Sequence, residues 1–213
     1  MREKSMTKEV FNMKRLQRMV LLLLMLAVAA IEAPASAQQI NAVTRVRIFT
    51  PFSATGLNSG LTVKERINGS CMAGSLADAS RVDAWRCSAG NQMYDPCFEN
   101  SFGERGLLAC VQMPWTNSVT MLRPISPLPA AETDKGDPGE ILPWALELAN
   151  GQRCVLLTGA TGAVAGMRIN YECSDGYYVA GPIDRTLPLW RVFHQPASGS
   201  IALDQIEVST AWF

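Results

Sequence analysis

Apolar and polar residues alternate with a period of two over several short segments. That period places successive side chains on opposite faces of a strand, so each segment reads as a half-buried β-strand. Met167, Ile169, Tyr171 and Cys173 share one face against Arg168, Asn170 and Glu172. Ile206, Val208, Thr210 and Trp212 oppose Glu207, Ser209 and Ala211, and Trp190, Val192 and His194 oppose Leu189, Arg191 and Phe193. Val46 and Ile48 alternate with Arg45 and Arg47, and Leu107 to Met113 and Val119 to Leu122 are less regular. Asn150-Gly151 lies between Trp144-x-Leu146-x-Leu148 and Arg153 to Leu157 and predicts a hairpin with a type I′ turn. A short helix from Pro143 capped by Gly151 is the alternative. Leu76 to Trp85 offers one or two turns of helix. Strands spaced in this way predict an all-β fold, mainly antiparallel, sandwich or barrel-like, with minor helix.

The N-terminal residues follow another logic. Lys14, Arg15 and Arg18 precede an unbroken apolar run from Met19 to Ile31, and Ala35-Ser36-Ala37 supplies a small-x-small cleavage signature. The run is shorter than the ~20 residues a membrane-spanning helix requires, which favours a signal peptide over residues 1–37 above a signal-anchor. Mature residues 38–213 then form one β-rich domain, crossed by a proline-rich surface connection at 124–143, with export to a secreted or periplasmic compartment. Translation can start at Met1 or Met13. The whole chain has 19 basic and 19 acidic residues. Cleavage removes six basic residues and three acids, leaving 13 against 16 and a net charge of −3. That balance argues against a polybasic grip on nucleic acid or on a membrane surface.

All six cysteines lie beyond the cleavage point: Cys71, Cys87, Cys97, Cys110, Cys154 and Cys173. In an exported chain an even count reads as disulfides. Cys154 and Cys173 stand alone beyond the proline-rich stretch and are expected to pair with each other. Among the other four, short loops close most easily, which favours Cys71–Cys87 and Cys97–Cys110. No Cys-x-x-Cys spacing supports a zinc site.

Candidate chemistry is sparse. Val155 to Gly166, with Thr158-Gly159-Ala160-Thr161-Gly162, resembles the strand-turn-helix entry of short-chain dehydrogenases. The third glycine is displaced to Gly166, too little chain follows, and no Tyr-x-x-x-Lys partner exists; it reads as a glycine-rich loop between strands. His194 is the only histidine, so any Ser-His or Cys-His mechanism must use it, and multi-histidine metal sites are excluded. No catalytic, cofactor-binding or metal residue is assigned. Paired carboxylates are the remaining catalytic option, with Asp83, Asp95, Glu99, Glu172, Asp175 and Asp184 as candidates. Asp134, Asp137 and Glu140 lack the ligand density of a calcium loop. The five tryptophans and four tyrosines offer flat faces for sugars or protein partners, or core packing. Asn68-Gly69-Ser70, a formal glycosylation sequon, reads as a turn, and Asp95-Pro96 as a turn start.

The run Gly69-Ser70-Cys71-Met72-Ala73-Gly74-Ser75, then Asp83-Ala84-Trp85-Arg86-Cys87, then Gly90-Asn91-Gln92-Met93-Tyr94-Asp95-Pro96-Cys97-Phe98 and Cys110, resembles a cysteine-framed domain of secreted bacterial proteins. That family is uncharacterised in function. The likeness covers about residues 69–128, more weakly Trp144 to Tyr171. It implies a secreted bacterial setting and carries no activity or catalytic residue. The expectation is an exported, non-enzymatic domain that binds a cell-envelope component, a glycan or a protein partner. A hydrolase of glycans or peptidoglycan with paired carboxylates, or a secreted inhibitor or effector, is the alternative.

Overall fold

Fifteen strands account for nearly all the regular structure in a computed structural model that describes residues 43–103, 106–130, 141–197 and 199–213. The expected signal segment, residues 1–37, and the 131–140 part of the proline-rich connection, with Asp134, Asp137 and Glu140, lie outside the described residues. Three short strands come first: β1 (Arg45–Arg47), β2 (Phe52–Ser53) and β3 (Gly56–Leu57). Five follow: β4 (Thr62–Gly74), β5 (Ala84–Ala89), β6 (Gln92–Glu99), β7 (Leu108–Cys110) and β8 (Ser118–Pro124). The rest are β9 (Ala145–Leu148), β10 (Arg153–Leu156), β11 (Ala163–Val164), β12 (Met167–Cys173), β13 (Tyr178–Asp184), β14 (Arg191–His194) and β15 (Asp204–Trp212). Ser174–Gly176 form a single 3-10 turn.

β4 to β8 follow one another as neighbours and close into a barrel, antiparallel throughout except where β4 meets β8 in parallel. A meander of five strands starts and ends in the same direction, so its closing pair must be parallel. In the second sheet β9, β10, β12, β13, β14 and β15 are joined in that order, and β15 pairs back to β9, so this path also returns on itself. Both sheets belong to one compact unit, Ala42–Phe213.

Two apolar clusters fill the rings. Cys71, Trp85, Cys87, Tyr94, Cys97, Leu108, Cys110 and Leu122 come from all five strands of the first barrel and pack together, so they are its interior. Leu146, Leu148, Cys154, Tyr171, Cys173, Val179, Val192, Val208 and Ala211 play that part in the second ring. A third cluster takes the opposite faces: Ala84, Phe98, Ala109, Val119 and Met121 from the first barrel meet Phe49, Phe52, Trp144 and Ala145. Phe49, Phe98 and Trp144 form a triangle with ring centroids 5.5, 5.8 and 6.1 Å apart. Arg81 clasps it, its guanidinium 4.5 Å from the centroid of Phe98 while it donates to the Phe49 carbonyl and pairs with Asp83 at 2.6 Å. The strands of the first barrel therefore have two apolar faces. Alternation in β7 (Leu108 inward, Ala109 outward, Cys110 inward) reads as an uninterrupted apolar run.

The disulfides are Cys71–Cys87, Cys97–Cys110 and Cys154–Cys173, the pairs that short loops favour. Each joins residues directly opposite one another on adjacent antiparallel strands and lies in a ring interior. Closing loops of this length adds roughly 3 kcal/mol per bridge in a chain-entropy account.

Several sequence expectations change. β15 carries a bulge between Val208 and Thr210, which breaks the simple alternation. Val208 and Ala211 both face the second ring interior, whereas Trp212 packs into the cluster between the barrels. β1 is a strand but buries neither Val46 nor Ile48, because it lies on the outer edge of β15; Thr44 and Phe49, either side of it, are the buried residues. Leu76 to Ser80 form turns rather than helix, held by side-chain bonds to Asp95. The β9–β10 hairpin exists, but Leu148 bonds Gln152 around three residues, and Gly151 alone takes a left-handed φ of 86°. This matches a type I turn with a G1 bulge, not type I′. Asn68-Gly69-Ser70 lies within β4, where a side chain at Gly69 would collide with the Ser88 carbonyl. Asp95-Pro96, joined by a cis bond, lies within β6.

Trp144→Ala should remove the centre of the joint and cost about 3–5 kcal/mol in unfolding free energy. Val46→Thr, on exposed β1, should cost no more than about 0.5 kcal/mol. Urea denaturation of the oxidised chain checks both.

Candidate functional site

A cavity of about 150 Å³ opens at one end of the first barrel. β4 contributes Lys64 and Glu65, β6 contributes Gln92 and Tyr94, and β8 contributes Ser118, Val119 and Thr120. Cys110, Gln112, Met113 and Thr116 complete the wall. The inward alternation that buries Tyr94 and Cys110 brings Gln92 and Gln112, two residues along, to the same mouth. Thr120 donates from its hydroxyl to Glu65 at 3.0 Å, and the Tyr94 hydroxyl donates to Gln92 at 3.0 Å. Removal from water raises the Tyr94 phenol above its ordinary value, and the nearby Glu65 charge adds to that rise. The mouth therefore presents a fixed carboxylate, a phenol, amides and hydroxyls around a space the size of one side chain.

On the opposite face of β6 and β7, a second cavity of about 150 Å³ lies between the barrels. Ala77, Met93, Asp95, Val111, Trp144, Val155 and Leu156 line it, and Tyr94 and Gln112 border both cavities. Asp95 is occupied. It accepts from the Ser75 hydroxyl at 2.5 Å and from the Leu76 and Ala77 amides at 3.2 and 3.4 Å. Burial raises its carboxyl pKa, opposed in turn by those bonds and by Arg86. Ser75 also accepts from the Asp78 amide at 2.8 Å, so one hydroxyl ties the 75–78 turn to β6. The Trp144 indole N–H is buried there without a partner.

The other candidate acids are dispersed. Asp83 pairs with Arg81, and Glu99 closes the end of β6. Glu172 and Asp175 are exposed, and Asp184 caps Thr186 at 3.0 and 2.6 Å, bonds that hold its carboxyl below the usual range. Each cavity holds one carboxylate: Glu65 at the mouth, Asp95 at the joint. His194 is buried with its Nε2 unpartnered, its ring 5.7 Å from that of Tyr177. Desolvation lowers its pKa, against the opposing charge of Asp204. The glycine-rich run leads from β10 through β11 into β12, a connection between strands. None of the five tryptophans is exposed: Trp85 and Trp144 are buried in cores and Trp115, Trp190 and Trp212 are half-buried. Lys64, Glu65, Gln92, Gln112 and Thr120 carry no sequence signal of their own, because closure of the barrel alone brings them together.

Asp78 provides a pH test of the turn that supports the joint cavity. Burial raises its carboxyl above the ordinary 3.8, ahead of the opposing Ser80 hydrogen bond and Arg81 charge, and Oδ2 has no partner. The folded chain then takes up this proton at higher pH than the unfolded chain. Its stability contribution appears as pH falls through the folded pKa and is lost as pH rises back through it. The unfolding free energy of the wild type minus that of Asp78→Asn should therefore rise between about pH 7 and about pH 4. A flat or falling difference in urea titrations contradicts this.

Comparison of the chain with family models, with curated proteins and with solved structures gives no match, so a functional reading rests on the geometry of this fold.

Proposed function

We propose that this chain is an exported, non-enzymatic binding domain that recognises a cell-envelope component, a glycan or a protein partner through the mouth of its first barrel. The observation that carries the reading is the mouth cavity. It gathers hydrogen-bonding side chains from three strands, yet offers a single carboxylate and no nucleophile activated by His194. Barrel mouths are recurrent ligand sites, because strand ends expose polar residues around a fixed opening. Three disulfides support an oxidising compartment. No described helix is long and apolar enough to cross a membrane. The leader and the resemblance to secreted bacterial proteins are compatible with export. Hydrolysis by paired carboxylates is less well supported, since Asp83, Asp95 and Asp184 already serve as structural hydrogen-bond or ion-pair partners.

The test is capture by the immobilised, oxidised mature chain from an envelope extract, beside isolated peptidoglycan. Gln92 and Gln112 are exposed at the mouth, and Gln92→Ala with Gln112→Ala removes the acceptor of the Tyr94 hydroxyl, so an unchanged circular dichroism spectrum and urea midpoint are required of the double variant. Retention of a specific component should fall about tenfold in the double variant, as expected for losing two hydrogen bonds. No retention by the wild type, or equal retention by the variant, overturns the reading.

A further inference from the structure

β4 outruns the strand beside it. Thr62 to Gly69 pair with β8, but pairing with β5 begins only at Ser70 opposite Ser88. β5 ends at Ala89 and the chain turns at Gly90-Asn91 into β6, so among the described strands none covers the other edge of Thr62–Ile67. This open edge is about 20 Å long at roughly 3.3 Å per residue. The main-chain bonds alternate along it. Thr62 donates to the Asn117 carbonyl and the Gly69 carbonyl accepts from Ile125, with a bulge between Val63 and Glu65. That alternation turns Glu65, Ile67 and Gly69 toward β8 and leaves the N–H and C=O of Arg66 facing outward. The mouth cavity has walls from β4, β6, β7 and β8 and none from β5. It is the space left where β5 stops.

We propose that this gap is a strand-addition site. An extended peptide segment of a partner protein pairs with the open edge of β4 and seats one Lys or Arg side chain in the cavity beside Glu65. The idea rests on the binding reading above and specifies its ligand. A cavity of about 150 Å³ suits one side chain and is smaller than the roughly 300–1,000 Å³ of sites for free small molecules. Strand addition supplies the missing affinity from main-chain bonds and takes its specificity from pockets for alternate side chains. Charge selects the side chain: Lys64 and Glu65 are both exposed at the mouth, but the Thr120 hydroxyl fixes the Glu65 carboxylate against the cavity wall. A second copy fits poorly. Two such edges paired antiparallel about Glu65 oppose Lys64 to Arg66 and Glu65 to itself, and about Arg66 they oppose Arg66 to itself. Charges of this kind discourage self-association of an edge and leave a different chain as the occupant.

The probe is a set of heptapeptides of Thr, Ser and Val with a single central Lys, Arg, Leu or Glu, titrated into the oxidised mature chain and followed by backbone amide shifts. The Lys and Arg peptides should bind and shift the Arg66 amide, and Glu65→Gln should weaken them about tenfold. Arg66→Pro, which removes an outward N–H and no bond to β8, should abolish binding with the circular dichroism spectrum unchanged. N-methylation of alternate peptide amides, which leaves the protein untouched, should abolish it as well. The proposal is overturned if no peptide binds, if the Leu or Glu peptide binds as tightly, or if N-methylation at every position is tolerated. Dimerisation of the free chain through β4, lost in Arg66→Pro, also overturns it. If the peptides fail while the Gln92/Gln112 variant still loses envelope capture, strand addition falls and the binding reading stands.

Discussion

The triangle of Phe49, Phe98 and Trp144 sets the arrangement of everything else. Phe98 projects outward from β6, Phe49 follows β1, and Trp144 precedes β9, so three distant stretches of chain meet at one point. Aromatic pairs at these separations are each worth about 0.5–1.5 kcal/mol beyond the area they bury. Arg81 closes the contact by lying over Phe98 and donating to the Phe49 carbonyl. Because this cluster occupies the outer faces of β6, β7 and β8, those strands are buried on both sides and cannot shift register without exposing one set. The Tyr171 hydroxyl, buried in the second ring, donates to the Pro143 carbonyl at 2.8 Å and holds the entry to Trp144 from the other side.

The disulfides act inside this frame. Each fixes two opposed residues of neighbouring strands and so pins a register rather than linking distant parts. Cys71–Cys87 sits at the end of β4 that β5 covers, and Cys97–Cys110 crosses from β6 to β7 below the mouth. The covered end of the first barrel is therefore rigid, while the first half of β4 is held along one edge only. Rigid walls around an uncovered edge are what a binding surface requires, because ordering is complete before a ligand arrives.

Much of the fold was legible in the residues. The alternation over Met167–Cys173 and Val192–His194 marks β12 and β14, and the cysteine spacing orders the pairs. Other parts were hidden for physical reasons. A bulge after Val208 adds one residue to β15 and shifts its faces, and no local signal marks it. β1 is apolar on alternate positions yet exposed, since periodicity shows that a face exists without saying what covers it. The site was the least legible. Thr62 to Asn68 carry Lys64, Glu65 and Arg66 in succession, a run without alternation that resembles a loop. It is a strand because β8 pairs with it from more than fifty residues away. Asp95 was named among the candidate acids, but its bonds to Ser75, Leu76 and Ala77 make it a structural support.

The first half of β4 is bonded to β8 and open on the other side, and the gap at the barrel mouth follows from that. Residue-resolved amide hydrogen exchange on the oxidised, unliganded chain tests this directly. Slow exchange at Glu65, Ile67 and Gly69, with fast exchange at Arg66 between them, is the result this structure predicts. Equal protection of Arg66 and its neighbours would mean that another strand already covers the edge, and would contradict it.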